Sequence, residues 1–309
     1  MAANMKAVKL RMKSIQSTMQ ITKAMELVAS SKLRKAKEQA DLSRPYFQIL
    51  RDTMMDIAIN NTDFTSLYTK EGKSNKWCYV VIAGDRGLAG GYNSNLFKLT
   101  QNEIVKNGGE YTVFPIGKKA VEYYRRRTNL VTEAFAEAAR VSVSDCFEIA
   151  KYLSYQYRSG EYGHIALCYT SFHSMLSQKP GVTSLLPLSD FVKKVDNNEN
   201  SSSTEETAGL AGAAGGGTGG KTGPRALILY EPDGETVFNA IVPEYLAGLI
   251  HSAVCDSLAS ELAARRTAME SATKNAGEMI EQLELYYNRA RQASITQEIT
   301  EIVAGAEES

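Results

Sequence analysis

The sequence predicts an α/β fold with a long antiparallel coiled coil. The N- and C-terminal helices form a two-stranded left-handed coiled coil, with a Rossmann-like α/β domain inserted between them. Three observations carry that reading. No Gly or Pro occurs from Met1 to Arg44. After Pro243 no proline interrupts the chain to Ser309, and the only glycines there are Gly248, Gly277 and Gly305. Between these ends, short β-branched and aromatic runs alternate with helical stretches, the pattern of βαβ units around a mostly parallel sheet.

The first helical element is expected over residues 1–65. Val8, Met12, Ile15 and Met19 recur in steps of 4 and 3, as do Phe47, Leu50, Met54 and Ile57. Met25, Val28, Leu33 and Ala36 lie between them and drift in phase. The α/β domain follows over residues 70–235. Trp77 to Ile82 reads as a strand, followed by a glycine-rich connection from Gly84 to Asn93 and a helix from Ser94 to Lys106. A second strand is expected at Tyr111 to Ile116, a helix at Lys118 to Arg127, and a further strand at Val131 to Phe135. Ser144 to Arg158 reads as an amphipathic helix, Ile165 to Ser171 as a strand after the Gly160–Gly163 turn, and Val182 to Leu188 and Ala226 to Tyr230 as the last strands. Residues 196–224 are polar and then Gly/Ala-rich, a composition that cannot bury enough surface to order itself and predicts a flexible loop.

The last element is expected over residues 240–309. As one helix, Tyr245 to Ala304 would be about 90 Å long at roughly 1.5 Å per residue, far beyond the roughly 8–20 residues of ordinary domain helices. Steps of 4 and 3 from Leu258 reach Leu262, Arg265, Met269, Ala272, Ala276, Met279, Leu283, Tyr286, Ala290, Ala293, Gln297 and Thr300. A repeat averaging 3.5 residues is the signature of a left-handed coiled coil. Gly277 costs about 1 kcal/mol inside a helix, and a single buried Leu or Met at roughly 1.5–3 kcal/mol outweighs it.

Charge favours pairing of the two ends. Residues 1–40 hold nine Lys/Arg against Glu26 and Glu38, while residues 255–309 hold ten carboxylates against five Lys/Arg. The whole chain balances at 35 against 35. With 309 residues, 43% of them hydrophobic, it can bury one or two cores. No apolar run is expected to reach the roughly 18 residues of a membrane span, and the polar, cationic N-terminus does not read as a signal peptide. Cys78, Cys146, Cys168 and Cys255 are isolated, as are His164, His173 and His251. They predict reduced, buried thiols in a cytosolic-side protein and no metal site or cofactor.

Several motifs invite chemistry and fail on context. Gly215 to Thr222 matches GxxxxGK[ST], but it sits in the low-complexity run and Gly223-Pro224 blocks the helix such a loop requires. Gly84 to Gly91 has the right strand-to-helix context but the wrong spacing, so it predicts a tight connection. Arg125, Arg126 and Arg127 read as cations offsetting a helix C-terminus. No nucleophile, acid/base pair or metal set is discernible, and the chain does not read as a catalyst.

At the two ends the residues resemble a known family. Gln20 to Ala29 (QITKAMELVA) with Ser31 to Lys35 (SKLRK), the Asp85-Arg86-Gly87-Leu88 loop with Gly90-Gly91, and Ala290 to Val303 (ARQASITQEITEIV) are similar to the gamma subunit of F-type ATP synthases. Leu185 to Leu188 and Tyr230-Glu231-Pro232 follow in the same order. Ala89 stands where many members carry Cys, and the regulatory cysteine insert of the chloroplast form is absent. The Gly-rich run is longer than the family leads one to expect.

The resemblance implies a central rotor shaft within a hexamer of alpha and beta subunits. The α/β domain would stand against the epsilon subunit and the c-subunit ring, on the cytoplasmic side of a bacterial membrane. It implies that Arg291, Gln292, Thr296 and Glu298 meet a loop of beta, with the apolar tip Ile295–Ala304 in a hydrophobic sleeve. Met25, Lys32, Arg34 and Lys35 would face the beta lever, and Tyr230 and Glu231 would lie in the foot near epsilon or the c ring. No cofactor and no nucleic acid is implied. From the residues, two other uses stay open: a coiled-coil scaffold with an accessory domain, and a basic-helix nucleic-acid binder.

Overall fold

The computed structural model describes residues 2–60, 66–188 and 230–307. Its elements are α1 (Ala2–Asn60), β1 (Trp77–Ile82), α2 (Tyr92–Asn107), β2 (Tyr111–Ile116), α3 (Lys118–Tyr124), α4 (Val143–Ser159), β3 (His164–Phe172), β4 (Gln178–Leu186) and α5 (Gly234–Glu307). The chain divides into two compact units, Met1–Ser31 with Arg265–Ser309 and Lys32–Ala264. The GxxxxGK[ST] match, the low-complexity run 196–224 and Ala226 to Leu229 of the last expected strand lie outside the described residues, and Tyr230 is not in a strand.

The larger unit is built on a four-stranded mixed sheet in the order β2-β1-β3-β4. β1 pairs in parallel with β2 from Trp77↔Tyr111 to Ile82↔Ile116 and in parallel with β3 from Trp77↔His164 to Val81↔Cys168. β4 runs antiparallel to β3. Because side chains alternate along a strand, β1 serves two cores at once. Cys78, Val80 and Ile82 join Phe114, Ile149, Leu153 and Leu167 on one face, together with Met54 and Ile57 of α1 and Phe238, Val242, Leu246 and Ile250 of α5. Tyr79 and Val81 join Val113, Ala166 and Cys168 on the other, beneath Leu96, Phe97 and Ile104 of α2 and Ala120 and Tyr124 of α3. A strand covered on both faces reads as a continuous apolar run, which is why Trp77–Ile82 stood out.

Three expectations within this unit need correcting. Val131 to Phe135 is not a strand; one isolated bridge joins Leu130 to Val113 of β2. The last strand begins at Gln178 rather than Val182 and includes Pro180 and Gly181. Among the described residues it is an edge strand, where proline is tolerated because one side of the ladder is unpaired. α3 stops at Tyr124, and Arg127 then turns back to donate to the Tyr123 carbonyl at 2.6 Å while stacking 3.9 Å over that ring. α4 matches its expectation closely. Ser142 and Asp145 form a reciprocal capping box at its start, and Gly160 ends it at φ 81°.

Both long helices run through prolines that sequence rules treat as stops. α1 contains Pro45, and α5 begins at Gly234, ahead of residue 240, and contains Pro243. A proline inside a helix costs about 3 kcal/mol or more, so tertiary contacts must hold both. They are visible beside each proline: Tyr46 Oη donates to Glu244 Oε2 at 3.4 Å, and Phe47 lies against Gly248, where an added Cβ would sit 2.0 Å from the Phe47 ring. Farther along, Leu33 and Ala36 pack on Ala259, Leu262 and Ala263. Rising numbers on α1 thus meet falling numbers on α5, so the two run antiparallel in this unit.

In the smaller unit Val8, Met12, Ile15, Met19, Thr22, Glu26 and Ala29 are shielded along α1 in unbroken steps of 4 and 3, with Met5, Met25 and Ser30 partly shielded beside them. Thr22 and Glu26 fill the positions that an apolar search left vacant, so the rhythm continues where the apolar residues drift. Val28 is 55% exposed. On α5 the shielded rhythm runs Arg266, Met269, Thr273, Ala276, Ile280, Leu283, Tyr287, Ala290 and Ser294. The expected Arg265 and Ala272 are partly shielded as well, so the expected line departs only farther along. Met279, Tyr286 and Ala293 are exposed and the next residue is the shielded one in each case, with Met279 and Tyr286 at 42% and 51%. Thr22 Oγ1 and Thr273 Oγ1 lie 2.8 Å apart across the helices.

α5 also corrects the statement that no apolar run could span a membrane. It contains an 18-residue window apolar enough to do so by length and composition, and 56% of that window is buried inside the protein. Burial against the sheet and α1 accounts for its apolar character.

Candidate partner-contact site

All four cysteines are buried. Desolvation pushes the thiols of Cys78, Cys146 and Cys168 up to about 12 and that of Cys255 to about 11, so they stay protonated and unreactive. Among the described residues no group of His, Cys, Asp or Glu could hold a metal ion. What the chain does present is helix surface.

Near the end of α5, Arg291, Gln292, Thr296 and Glu298 are all exposed. At about 100° per residue, Arg291 and Glu298 share one stripe, while Gln292 and Thr296 share another, about 100–160° around the helix. The Thr296 hydroxyl donates to the Gln292 carbonyl at 3.0 Å, and Ser294 Oγ stands 3.5 Å from a Glu298 carboxylate oxygen. The charged and amide ends are left facing solvent. Interleaved with them, Ile295, Ile299, Ile302 and Val303 are 45–72% exposed. A helix surface this apolar calls for a covering partner.

On α1, Met25 is half-buried, while Lys32, Arg34 and Lys35 are exposed. Arg34 reaches Glu38 at 3.8 Å, with both side chains mostly in solvent, an arrangement that contributes about 0–1 kcal/mol and leaves the cation available. In the larger unit, Tyr230 packs partly buried against the main core. Burial raises its hydroxyl pKa, and the charge of Asp56 adds to the rise. Glu231 beside it is exposed.

The glycine loop after β1 has a structural role. Asp85 Oδ1 accepts from the Ala138 N–H at 2.8 Å and its Oδ2 from Ala139 at 3.1 Å. The Gly84 N–H donates to Asn93 Oδ1 at 2.9 Å. Leu88 takes φ 64° and is 65% exposed. Two groups of residues escaped the sequence reading. Thr22, Glu26 and Thr273 are polar at seam positions, and a heptad scan that admits polar residues would have found them. Ser257, Ser260 and Glu261 are buried at 2%, 0% and 4% exposure on one turn of α5, with no sequence signal beyond being polar in an alanine-rich stretch.

Comparison with known proteins finds relatives along nearly the whole chain. The sequence model of the family described as ATP synthase matches residues 4–308. The ATP synthase gamma chain of Ruminococcus albus is 45% identical over 304 residues, covering 97% of this chain and 96% of that one. A gamma chain of Acetobacterium woodii, described as sodium ion specific, is 38% identical over 308 residues and 99% of both chains. Among solved structures, the rotor of the Euglena gracilis mitochondrial ATP synthase superposes with a TM-score of 0.60 at 20% identity, over 96% of this chain and 100% of that one.

Proposed function

The chain belongs to the ATP synthase gamma-chain family, and on that premise we propose that it is the central rotor shaft coupling ion flow through the membrane sector to ATP synthesis in the surrounding subunits. The single observation that carries this reading is the family match along nearly the whole chain, including both terminal blocks. The shaft is a two-stranded left-handed coiled coil of residues 1–65 and 240–309, and the foot is a Rossmann-like α/β domain of residues 70–235. The 4-and-3 rhythm of shielded residues on α1 and α5 supports the first assignment, and three parallel strands alternating with helices support the second.

The chain itself is non-catalytic. A ring of alpha and beta subunits around an asymmetric rod adopts a different arrangement at each rotor angle, so rotation becomes successive changes in nucleotide affinity. Arg291, Gln292, Thr296 and Glu298 engage a loop of beta; their common exposure within two turns of α5 supports this. Met25, Lys32, Arg34 and Lys35 face the beta lever, and cations in solvent suit an acidic counterpart. Tyr230 and Glu231 belong to the foot contact with epsilon or the c ring. The exposed isoleucines beyond Ala293 suit an apolar sleeve. The complex sits at the cytoplasmic face of a bacterial membrane, which this chain meets only through its partners.

The test is reconstitution with alpha and beta subunits and an assay of ATP turnover with and without the chain. Arg291→Ala with Gln292→Ala should reduce coupled turnover roughly tenfold, the equivalent of about 1.4 kcal/mol and the worth of one charged hydrogen bond, while circular dichroism stays unchanged. Equal turnover in the double variant would remove the assignment. Salt-sensitive affinity for duplex DNA in the same preparation would favour a nucleic-acid binder instead.

A further inference from the structure

We infer that Ser257, Ser260 and Glu261 form a polar clamp through which torque passes between α5 and the sheet, an inference that rests on the rotor reading above. The three lie on one turn of α5 and face the ends of β1 and β3. Ser260 Oγ donates to the Thr170 carbonyl at 3.1 Å, and the Thr170 N–H donates to Ser257 Oγ at 3.3 Å. Tyr92 Oη, at the start of α2, donates to the Ser257 carbonyl at 3.0 Å. The Glu261 carboxylate is seated on Gly84, where an added Cβ would lie 2.7 Å from its Cδ. Tyr92, Thr170 and all three α5 residues are no more than 6% exposed. One turn of the helix is thereby tied to β3, to the loop after β1 and to α2.

The sheet is built to receive this clamp. β1 ends at Ile82 and its pairing with β3 stops at Val81↔Cys168, so the side of β3 that faces β1 is open at Thr170. There Ser260 supplies the Thr170 carbonyl with a donor and Ser257 supplies its N–H with an acceptor. A buried backbone group without a partner is costly, so the two serines of α5 complete what β1 leaves open.

Direction of force is the reason to assign a mechanical role. Apolar contact, which α5 makes through Val254 and Leu262 among others beside the clamp, opposes separation but is non-directional. Buried hydrogen bonds are directional, and breaking one exposes a polar group to a site without water. The clamp thus resists the motion that a turning shaft imposes on its foot.

The experiment uses the whole complex in vesicles, with ATP-driven ion pumping measured against a rising opposing ion gradient. ATP turnover by the soluble assembly of this chain with alpha and beta subunits is followed in parallel. Ser257→Ala with Ser260→Ala should leave soluble turnover within about twofold of the parent and pumping near normal without a gradient. Against the steepest gradient, pumping should fall about tenfold. Should the double variant not fold, Ser260→Ala alone carries the same expectation. Parity with the parent at every gradient would overturn the clamp, as would both readouts falling in step, because a purely structural role has no dependence on load. A parent chain unable to support pumping at all would overturn the rotor reading, and the clamp with it.

Discussion

Asp256 is the residue at which the fold works most plainly against an ionised group. Its carboxyl is pushed up to about 6, first by burial, with the Arg44 guanidinium pulling the other way. A folded value above the unfolded one means that the protonated form is favoured in the native state. The stabilising contribution is therefore complete below about pH 4 and is lost as pH rises through 6. Asp256→Asn removes that dependence, and Arg44 keeps Asp41 at 3.3 Å as a partner. His251, one turn earlier on α5, has its pKa lowered by burial and titrates in both proteins, so its effect cancels in the comparison. The parent should lose about 2–5 °C of Tm relative to Asp256→Asn between pH 5 and pH 8. A difference that does not change with pH, followed by scanning calorimetry, would show that the carboxyl is already ionised at low pH.

Thr22 and Thr273 illustrate how one pair acts at the scale of an element. Each hydroxyl has a single proton, and each also lies within reach of its own helix, at the Met19 carbonyl (3.0 Å) and the Met269 carbonyl (2.8 Å). One hydroxyl donates across the seam while the other donates back to its backbone. Beside them Glu26, 8% exposed, is held by Lys23 Nζ at 3.1 Å from both carboxylate oxygens. Polar residues at seam positions fix register at some cost in stability. Thr22→Val or Thr273→Val alone should each destabilise by about 1 kcal/mol, since the remaining hydroxyl loses its partner. The double change should cost less than the sum, with a coupling of roughly 0.5–1 kcal/mol. Denaturant unfolding of the four proteins measures this, and strict additivity would mean the hydroxyls do not communicate. The same element-scale logic explains the prolines of α1 and α5. Local propensity forbids them, and contacts at Tyr46, Phe47, Glu244 and Gly248 override it.

For the molecule as a whole, the two units differ in how much each buries. The larger unit contains three buried clusters, two of them on opposite faces of one sheet. The smaller has a single line of shielded residues, several of them only partly covered. Local opening follows buried contact density. In the isolated chain, amides of residues 2–31 and 265–307 should exchange with deuterium at least about tenfold faster than those of β1 and β3. Equal protection by mass spectrometry would show that the paired helices are stabilised by more than their seam. Addition of alpha and beta subunits should slow exchange at 291–303 first, where the isoleucines are uncovered.

The sequence by itself determined the two long helices, the presence and order of β1, α2, β2, α4 and β3, and the family. These depend on local periodicity, on the absence of helix breakers and on residue blocks that survive as patterns. Only the tertiary structure decided which face each helix buries. An apolar count cannot tell Met279 from Ile280 or Tyr286 from Tyr287, and the partner helix chooses between them. It cannot see that Thr22 and Glu26 belong to the seam, because their place there depends on residues far away in sequence. The polar turn of α5 was illegible for the same reason. Ser257, Ser260 and Glu261 gain meaning only when β3 presents a carbonyl that its own sheet leaves without a donor.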